Sequence, residues 1–177
     1  HDQPLVAYTG TFGLINGVEY LVEVAATMQD IAPQVYFLLV GDGARKEAVS
    51  SRAEKAGVLG RNLAMWDPVP KTQMADVLAA ATVATSLFIP LKPMWNNSAN
   101  KFFDALAAGK PLAINYEGWQ ADILRETGAG IVMPAGDPRR AAADLAALVQ
   151  DNVRLQGAQA AARNLAHTRF NRDRMAD

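Results

Sequence analysis

Residues 35–43, VYFLLVGDG, decide the fold. The run is apolar throughout and rich in β-branched and aromatic side chains. It does not alternate with polar residues, so it reads as a strand buried on both faces, as in a parallel sheet covered by helices. It stops on Gly41-Asp42-Gly43, a turn signal. Working backwards, Val18, Leu21, Val22 and Ala25 recur at helical spacing, and Pro33 closes that segment. Before it, Leu5 to Tyr8 is a short apolar run followed by the glycine-bearing stretch TGTFGLING. Working forwards, a helical segment runs through Ala56, with Gly57 and Gly60 as punctuation.

The same alternation continues. Leu63 to Trp66, Thr82 to Phe88, Leu112 to Asn115 and Gly130 to Met133 read as strands. Lys71 to Ala81, Ala99 to Ala108 and Ala121 to Thr127 read as the helices between them. Asp137-Pro138 marks a helix start, because Asp caps and Pro suits the first helical position. Asp151 to Phe170 reads as a last helix. Strands and helices alternating about six times predict an α/β fold, a doubly wound parallel sheet of about six strands. In such a sheet ligands bind beyond the carboxyl ends of the strands. Function is therefore sought in the loops TGTFGLING, GDG, WDPVP, Ile89 to Asn97, NYEGW and MPAGDP.

Composition narrows the classes. The chain has 177 residues, the size of one domain, 50% of them apolar. Lys plus Arg is 17 against 18 for Asp plus Glu, a balance that argues against nucleic acid as the partner. Cysteine is absent, so there is no disulfide framework, thiolate metal site or cysteine nucleophile. No apolar run approaches the roughly 20 residues that span a bilayer. No second histidine or acidic cluster accompanies His167, so no metal site is expected. The chain opens on His1 rather than Met and reads as a piece of something longer. Arg163, Arg169, Arg172 and Arg174 read as a solvated helix face.

Three groups of residues can carry chemistry. Gly10, Gly13 and Gly17 sit between the first strand and the first helix, where amide N–H groups favour an anion such as phosphate; a plain turn is the other reading. Asn96-Asn97-Ser98 lead into NKFFDALAAGKP, residues 100–111, with Asn97 or Ser98 as the expected helix cap. The amides of Ala99, Asn100 and Lys101 would then be unpaired. A lysine in the first helical turn opposes the helix dipole, which an anion bound there would explain; a solvated lysine is the alternative. Phe102, Phe103, Leu106 and Ala107 read as core. Asp104 reads equally as a surface carboxylate or a ligand-binding one. Asp42 can be a turn residue or touch a ribose, and Trp66 can flank a base.

Taken in order, these segments resemble the C-terminal, donor-binding half of group 1 (family 4-like) retaining glycosyltransferases of the GT-B fold, with its Rossmann-like sheet. VAYTGTFGLINGVEYLVEVA is similar to the family's opening strand, glycine loop and helix, and FLLVGDG to its second strand and turn. WDPVPKTQMADVLAAATVATSL resembles the segment carrying the base-pocket loop. NNSANKFFDALAAGKPLAIN resembles the sugar- and phosphate-binding loop and helix, and GAGIVMPAGDPRRAAADLAALVQD the closing segment. The N-S-x-N-K-F-F-D variant is most similar to enzymes of bacterial surface-polysaccharide synthesis. The chain departs from the pattern where the family's loop arginine and lysine stand: Thr11 and Asn16 replace them. The E-x7-E acids correspond to Asn96 and Asp104.

The resemblance implies a single nucleotide-sugar-binding domain over residues 1–177, with an N-terminal acceptor domain elsewhere. It implies transfer of a sugar, with retention, from a nucleotide diphosphate sugar, a UDP-sugar favoured, to an acceptor hydroxyl, with no cofactor and no required metal. The donor site it implies comprises Gly10, Thr11, Gly13, Asn16, Asp42, Trp66, Val69, Asn96, Asn97, Ser98, Ala99, Asn100, Lys101 and Asp104. Lys101 would supply the phosphate charge and Asp104 would bind the ribose; the family's usual histidine or acid belongs to the N-terminal domain, and no catalytic residue is assigned in this chain. The setting implied is cytoplasmic, at the inner membrane face through the full-length protein, and the fragment alone would not turn over. An NAD(P)-binding oxidoreductase domain, half of a sugar-nucleotide epimerase, and a non-catalytic nucleotide-binding module are the rival readings. The first is disfavoured because no Tyr-x-x-x-Lys pair is present.

Overall fold

The computed structural model describes residues 3–170; His1, Arg172 and Arg174 lie outside them. Six strands form one sheet: β1 (Leu5–Thr9), β2 (Tyr36–Val40), β3 (Leu63–Trp66), β4 (Val83–Ser86), β5 (Leu112–Ile114) and β6 (Gly130–Val132). All pair in parallel, in the order β3-β2-β1-β4-β5-β6. Helices α1 (Glu19–Ile31), α2 (Lys46–Lys55), α3 (Lys71–Ala80), α4 (Asn100–Ala107) and α5 (Trp119–Thr127) make the crossovers. Helices α6 (Pro138–Gln150) and α7 (Asn152–Thr168) follow. The fold is the doubly wound, Rossmann-like α/β arrangement.

Strand periodicity sorts the core into layers. In β2, Phe37 and Leu39 join α1, α2 and α6 around Leu21, Met28, Val49 and Leu145, whereas Leu38 and Val40 turn to the other face and meet Val77 of α3. In β5, Ala113 joins the first layer, while Leu112 and Ile114 pack with Phe102, Leu106, Leu124 and Leu165 of α4, α5 and α7. Full burial of each large aliphatic side chain stabilises by about 1.5–3 kcal/mol.

The expected cap at Asp137 is present: its carboxylate accepts from the Arg140 amide at 2.9 Å. Asp151 does the same for Arg154 at 3.0 Å. Elsewhere the expectations need correction. Neither Asn97 nor Ser98 caps α4; the cap position is Ala99, with no side-chain hydrogen bond. The reason lies upstream, where a 3-10 turn, Lys92–Asn96, uses the proline-bounded segment expected to be loop and takes Asn97 as its own C-cap, two residues short of the α4 cap position. Ala107 is exposed rather than core, and Phe103 is half-buried. Arg163, Arg169 and His167 lie exposed on α7 or at its end. None of the helices among the described residues is long and apolar enough to cross a membrane.

Candidate functional site

The strand order reverses between β1 and β4, where a chain running outward on one side of the sheet resumes on the other. Such a switch point leaves a crevice at the carboxyl ends of the two strands. A cleft of about 920 Å³ opens there. Its floor is Thr9, Gly10 and Thr11 at the end of β1. One wall is α3, through Lys71, Met74, Ala75 and Leu78. The other is α4 and the residues before it, through Ser98, Asn100, Lys101, Phe103 and Asp104, with Phe170 beyond the end of α7.

The floor is held from below. The Gly10 amide donates to the Val40 carbonyl at 2.8 Å and that of Phe12 to Asp42 at 2.9 Å, so the glycine loop is laid across the end of β2. The Tyr8 hydroxyl donates to the Thr11 carbonyl at 2.6 Å. Gly10 has φ +130°, which L side chains rarely adopt, and a Cβ there would stand 2.5 Å from Lys101 Cε. Lys101 therefore lies directly over the glycine. Its Nζ is 5.4 Å from the centre of the Tyr8 ring, in cation–π range. Burial pushes the Lys101 pKa down, and the charge of Asp104 offsets this only in part. Burial likewise pushes the Tyr8 phenol up. Asp104 is exposed, one helical turn further along the same wall.

The loop that feeds α4 is fixed from two sides. The Ile89 amide donates to the Ile15 carbonyl at 2.8 Å, tying it to the tip of the glycine loop. Gly118 (φ +102°) lies so close beneath the 3-10 turn that a Cβ would meet the Trp95 carbonyl oxygen at 2.1 Å. Below, the Tyr116 hydroxyl lies 2.6 Å from Gln120 Oε1, to which it donates, and 2.9 Å from Ser86 Oγ, whose proton it can accept. Gln120 Nε2 is buried with no partner.

Of the residues read from the sequence, Gly10, Thr11, Ser98, Asn100, Lys101 and Asp104 come together in the cleft. Asp42 lines a separate hollow of about 600 Å³ with Lys46, Glu47, Ser50 and Met65. Its carboxylate accepts from the Gly43 amide at 2.8 Å, stabilising its own turn. Trp66 and Val69 line an apolar groove of about 600 Å³ between β3 and α3, with Trp66 51% exposed. Gly13, Asn16, Asn96, Asn97 and Ala99 do not line the cleft. Asn16 closes a turn onto Gly13, its amide donating to the Gly13 carbonyl at 3.2 Å. Asn96 and Asn97 are exposed.

The α3 wall escaped the sequence reading. Residues 71, 74, 75 and 78 are spaced i, i+3, i+4, i+7, so the face was available once α3 was known to follow a strand end. Nothing in the sequence announces Phe170. Among the described residues no group of three His, Asp or Glu side chains gathers as a metal site would require.

The sequence profile described as glycosyl transferases group 1 matches residues 3–151. The chain belongs to this family. Solved structures share its fold at low sequence identity. S. aureus TarM, crystallised with fondaparinux, alpha-GlcNAc-glycerol and UDP, superposes with a TM-score of 0.79 at 16% identity, over 95% of this chain and 33% of TarM. WaaG, a glycosyltransferase involved in lipopolysaccharide biosynthesis, gives 0.76 at 19% identity, over 95% and 44%. The C-terminal domain of the group 1 family protein LpcC from Francisella tularensis gives 0.78 at 12% identity, over 94% and 86%. The chain thus spans a third to under half of TarM and WaaG, and most of the isolated LpcC domain. No curated protein matches it in sequence.

Proposed function

We propose that residues 1–177 are the donor-binding domain of a retaining glycosyltransferase that takes a sugar from a nucleotide diphosphate sugar, a UDP-sugar in first place. The carrying observation is the cleft at the β1–β4 switch point, where Gly10, having no side chain, lets the Lys101 stem lie over the floor beside the start of α4. The presence of UDP in the TarM crystals supports the base assignment. The glycosyltransferase profile favours this reading over an oxidoreductase or an epimerase half.

The chemistry follows from what develops on the leaving group. As the bond from sugar to diphosphate lengthens, negative charge grows on the phosphate oxygens. The Asn100 and Lys101 amides at the start of α4 lie before the first hydrogen bond of the helix, that of the Phe102 amide to the Ala99 carbonyl, and offer their dipoles to such an anion. Lys101 adds a full charge in a partly dehydrated setting, where its attraction is stronger than in water. Asp104, one turn on, accepts hydrogen bonds from ribose hydroxyls. Ser98 and Asn100, on the α4 wall, are the polar side chains placed for the sugar hydroxyls, whereas Asn96 stands outside the cleft. Gly13 and Asn16 shape the loop tip above the phosphates. The acceptor, its binding domain and the remaining catalytic groups belong to the N-terminal part of the enzyme. We place the reaction in cell-surface polysaccharide or lipopolysaccharide synthesis, at the cytoplasmic face of the membrane.

Calorimetric titration of the chain with UDP-, GDP- and dTDP-sugars and with NAD, together with NMR mapping of backbone amide shifts, tests this. The expected outcome is binding of a UDP-sugar, with amide shifts at Gly10, Asn100 and Lys101. Binding of NAD alone would overturn the reading, as would shifts centred on α6.

A further inference from the structure

The cleft carries two cations on opposite walls, one more than a single phosphate contact needs. Lys101 opens α4 and Lys71 opens α3, and both line the same cavity. Each is the only charged residue in its helix's first turn, and neither helix has an acidic residue there or a side-chain cap. Placing lysine at a helix N-terminus opposes the dipole, and here it is done twice toward one cavity. Asp104 is the one carboxylate on the lining. Among the described residues neither lysine has a carboxylate within 4.0 Å. Two lysines against the single carboxylate of Asp104 leave the lining net positive, with neither ammonium tied up in an ion pair.

Resting on the donor-binding reading above, we infer that Lys71 is a second anchoring cation for the donor, closing on the diphosphate from the α3 wall while Lys101 holds it from the α4 wall. Two singly charged groups lining one cleft from different helices match an anion whose charge is spread over two linked phosphates. They match a neutral or singly charged ligand poorly. Lys71 also stands in for a charge that the glycine loop lacks, since Thr11 and Asn16 hold no cation. The two lysines differ in setting. Lys101 is half-buried over Gly10, whereas Lys71 is exposed at the rim. The rim contact is the weaker of the two and the more sensitive to salt.

The test is a titration of UDP, UMP and uridine into the parent chain, Lys71→Ala and Lys71→Arg, at low and at physiological salt. Alanine favours a helix, so Lys71→Ala should fold as the parent does. The expected result is that Lys71→Ala weakens UDP about fivefold at low salt and less at physiological salt, with uridine unchanged and UMP between. Lys71→Arg should restore most of the loss. Unchanged UDP affinity in Lys71→Ala overturns the inference. So does an equal loss for UDP and uridine, which would place Lys71 against the nucleoside. If the parent bound no nucleoside diphosphate, the donor-binding reading itself would fall; that outcome is read from the parent alone.

Discussion

On one face of the sheet, the 13-residue helix α1 buries Tyr20, Leu21, Val22, Val24, Ala25 and Met28. On the other, the 10-residue helix α3 buries only Val77 and Leu78. Both helices cross between parallel strands and both have apolar residues to spare, so length and composition do not explain the contrast. Position does. Helix α1 is sandwiched between the sheet and α6, whose Leu145, Leu148 and Val149 close the layer over it. Helix α3 borders the cleft, and the side it would turn to a neighbour is the wall made by Lys71, Met74 and Ala75. One face is built for stability, and the other gives up burial to keep a cavity open.

Truncation should separate the faces most sharply. Leu21→Ala removes a fully buried side chain from the closed layer and should cost about 3 kcal/mol in urea denaturation, with the slope unchanged. Met74→Ala, half-buried at the cleft, should cost about 1 kcal/mol or less. Equal losses would mean that the α3 face is packed as tightly as the α1 face, and the contrast would fail.

Lys101 sharpens the comparison from the side of binding. Charge-assisted contacts are worth about 1.5–3 kcal/mol, so Lys101→Ala should weaken nucleoside diphosphate binding by about one to two orders of magnitude. Nucleoside monophosphate binding should suffer much less. Stability should hold or rise, since the fold sets this lysine over Gly10 and against the dipole. A variant that binds UDP as tightly as the parent would make Lys101 an ordinary side chain of the wall.

The smallest effect is in pH. Burial lowers the folded-state pKa of Lys101 below its ordinary 10.5. The charged form is thus disfavoured in the fold, and the cost is present in full below the folded-state pKa. It is relieved as pH climbs from that value to 10.5, where the unfolded chain also loses the proton. The parent should therefore gain stability relative to Lys101→Met across that alkaline window, by urea midpoints at pH 7 and pH 10. A parent that lost ground relative to the variant would show Lys101 stabilised as a cation.

The six strands could be read from the sequence because burial on both faces leaves unbroken apolar runs such as VYFLLV, and parallel pairing requires a helix between each pair. The Asp137 cap was equally local, since an Asp-Pro pair carries its own geometry. The start of α4 was misread because its cap depends on a 3-10 turn seated against Gly118, more than twenty residues later in the chain. Lys101 and Asp104 sit on the helix whose motif could be recognised, and both reach the cleft. Lys71 and Phe170 were missed because their place in it comes from how α3 and α7 pack, which no local pattern encodes. Trp66 and Val69 follow a strand end as the cleft residues do, yet they face a different groove, because the crossover through α3 divides that end of the sheet.

The pairing of β1 with β4 has a kinetic side. Val6 sits opposite Val83, whereas every other pairing in the sheet joins strands consecutive in the chain. The sheet is thus two locally wound halves joined along one seam of long sequence separation, the kind of contact that forms late because a large loop must close first. The cleft straddles that seam. A chain with either half assembled would still present the glycine loop or the α4 start alone, and neither could grip a ligand that needs both. Ligand capture in a refolding experiment would then mark the closing of the seam, and a bound nucleotide would act as a staple across the last joint to form and the first to open.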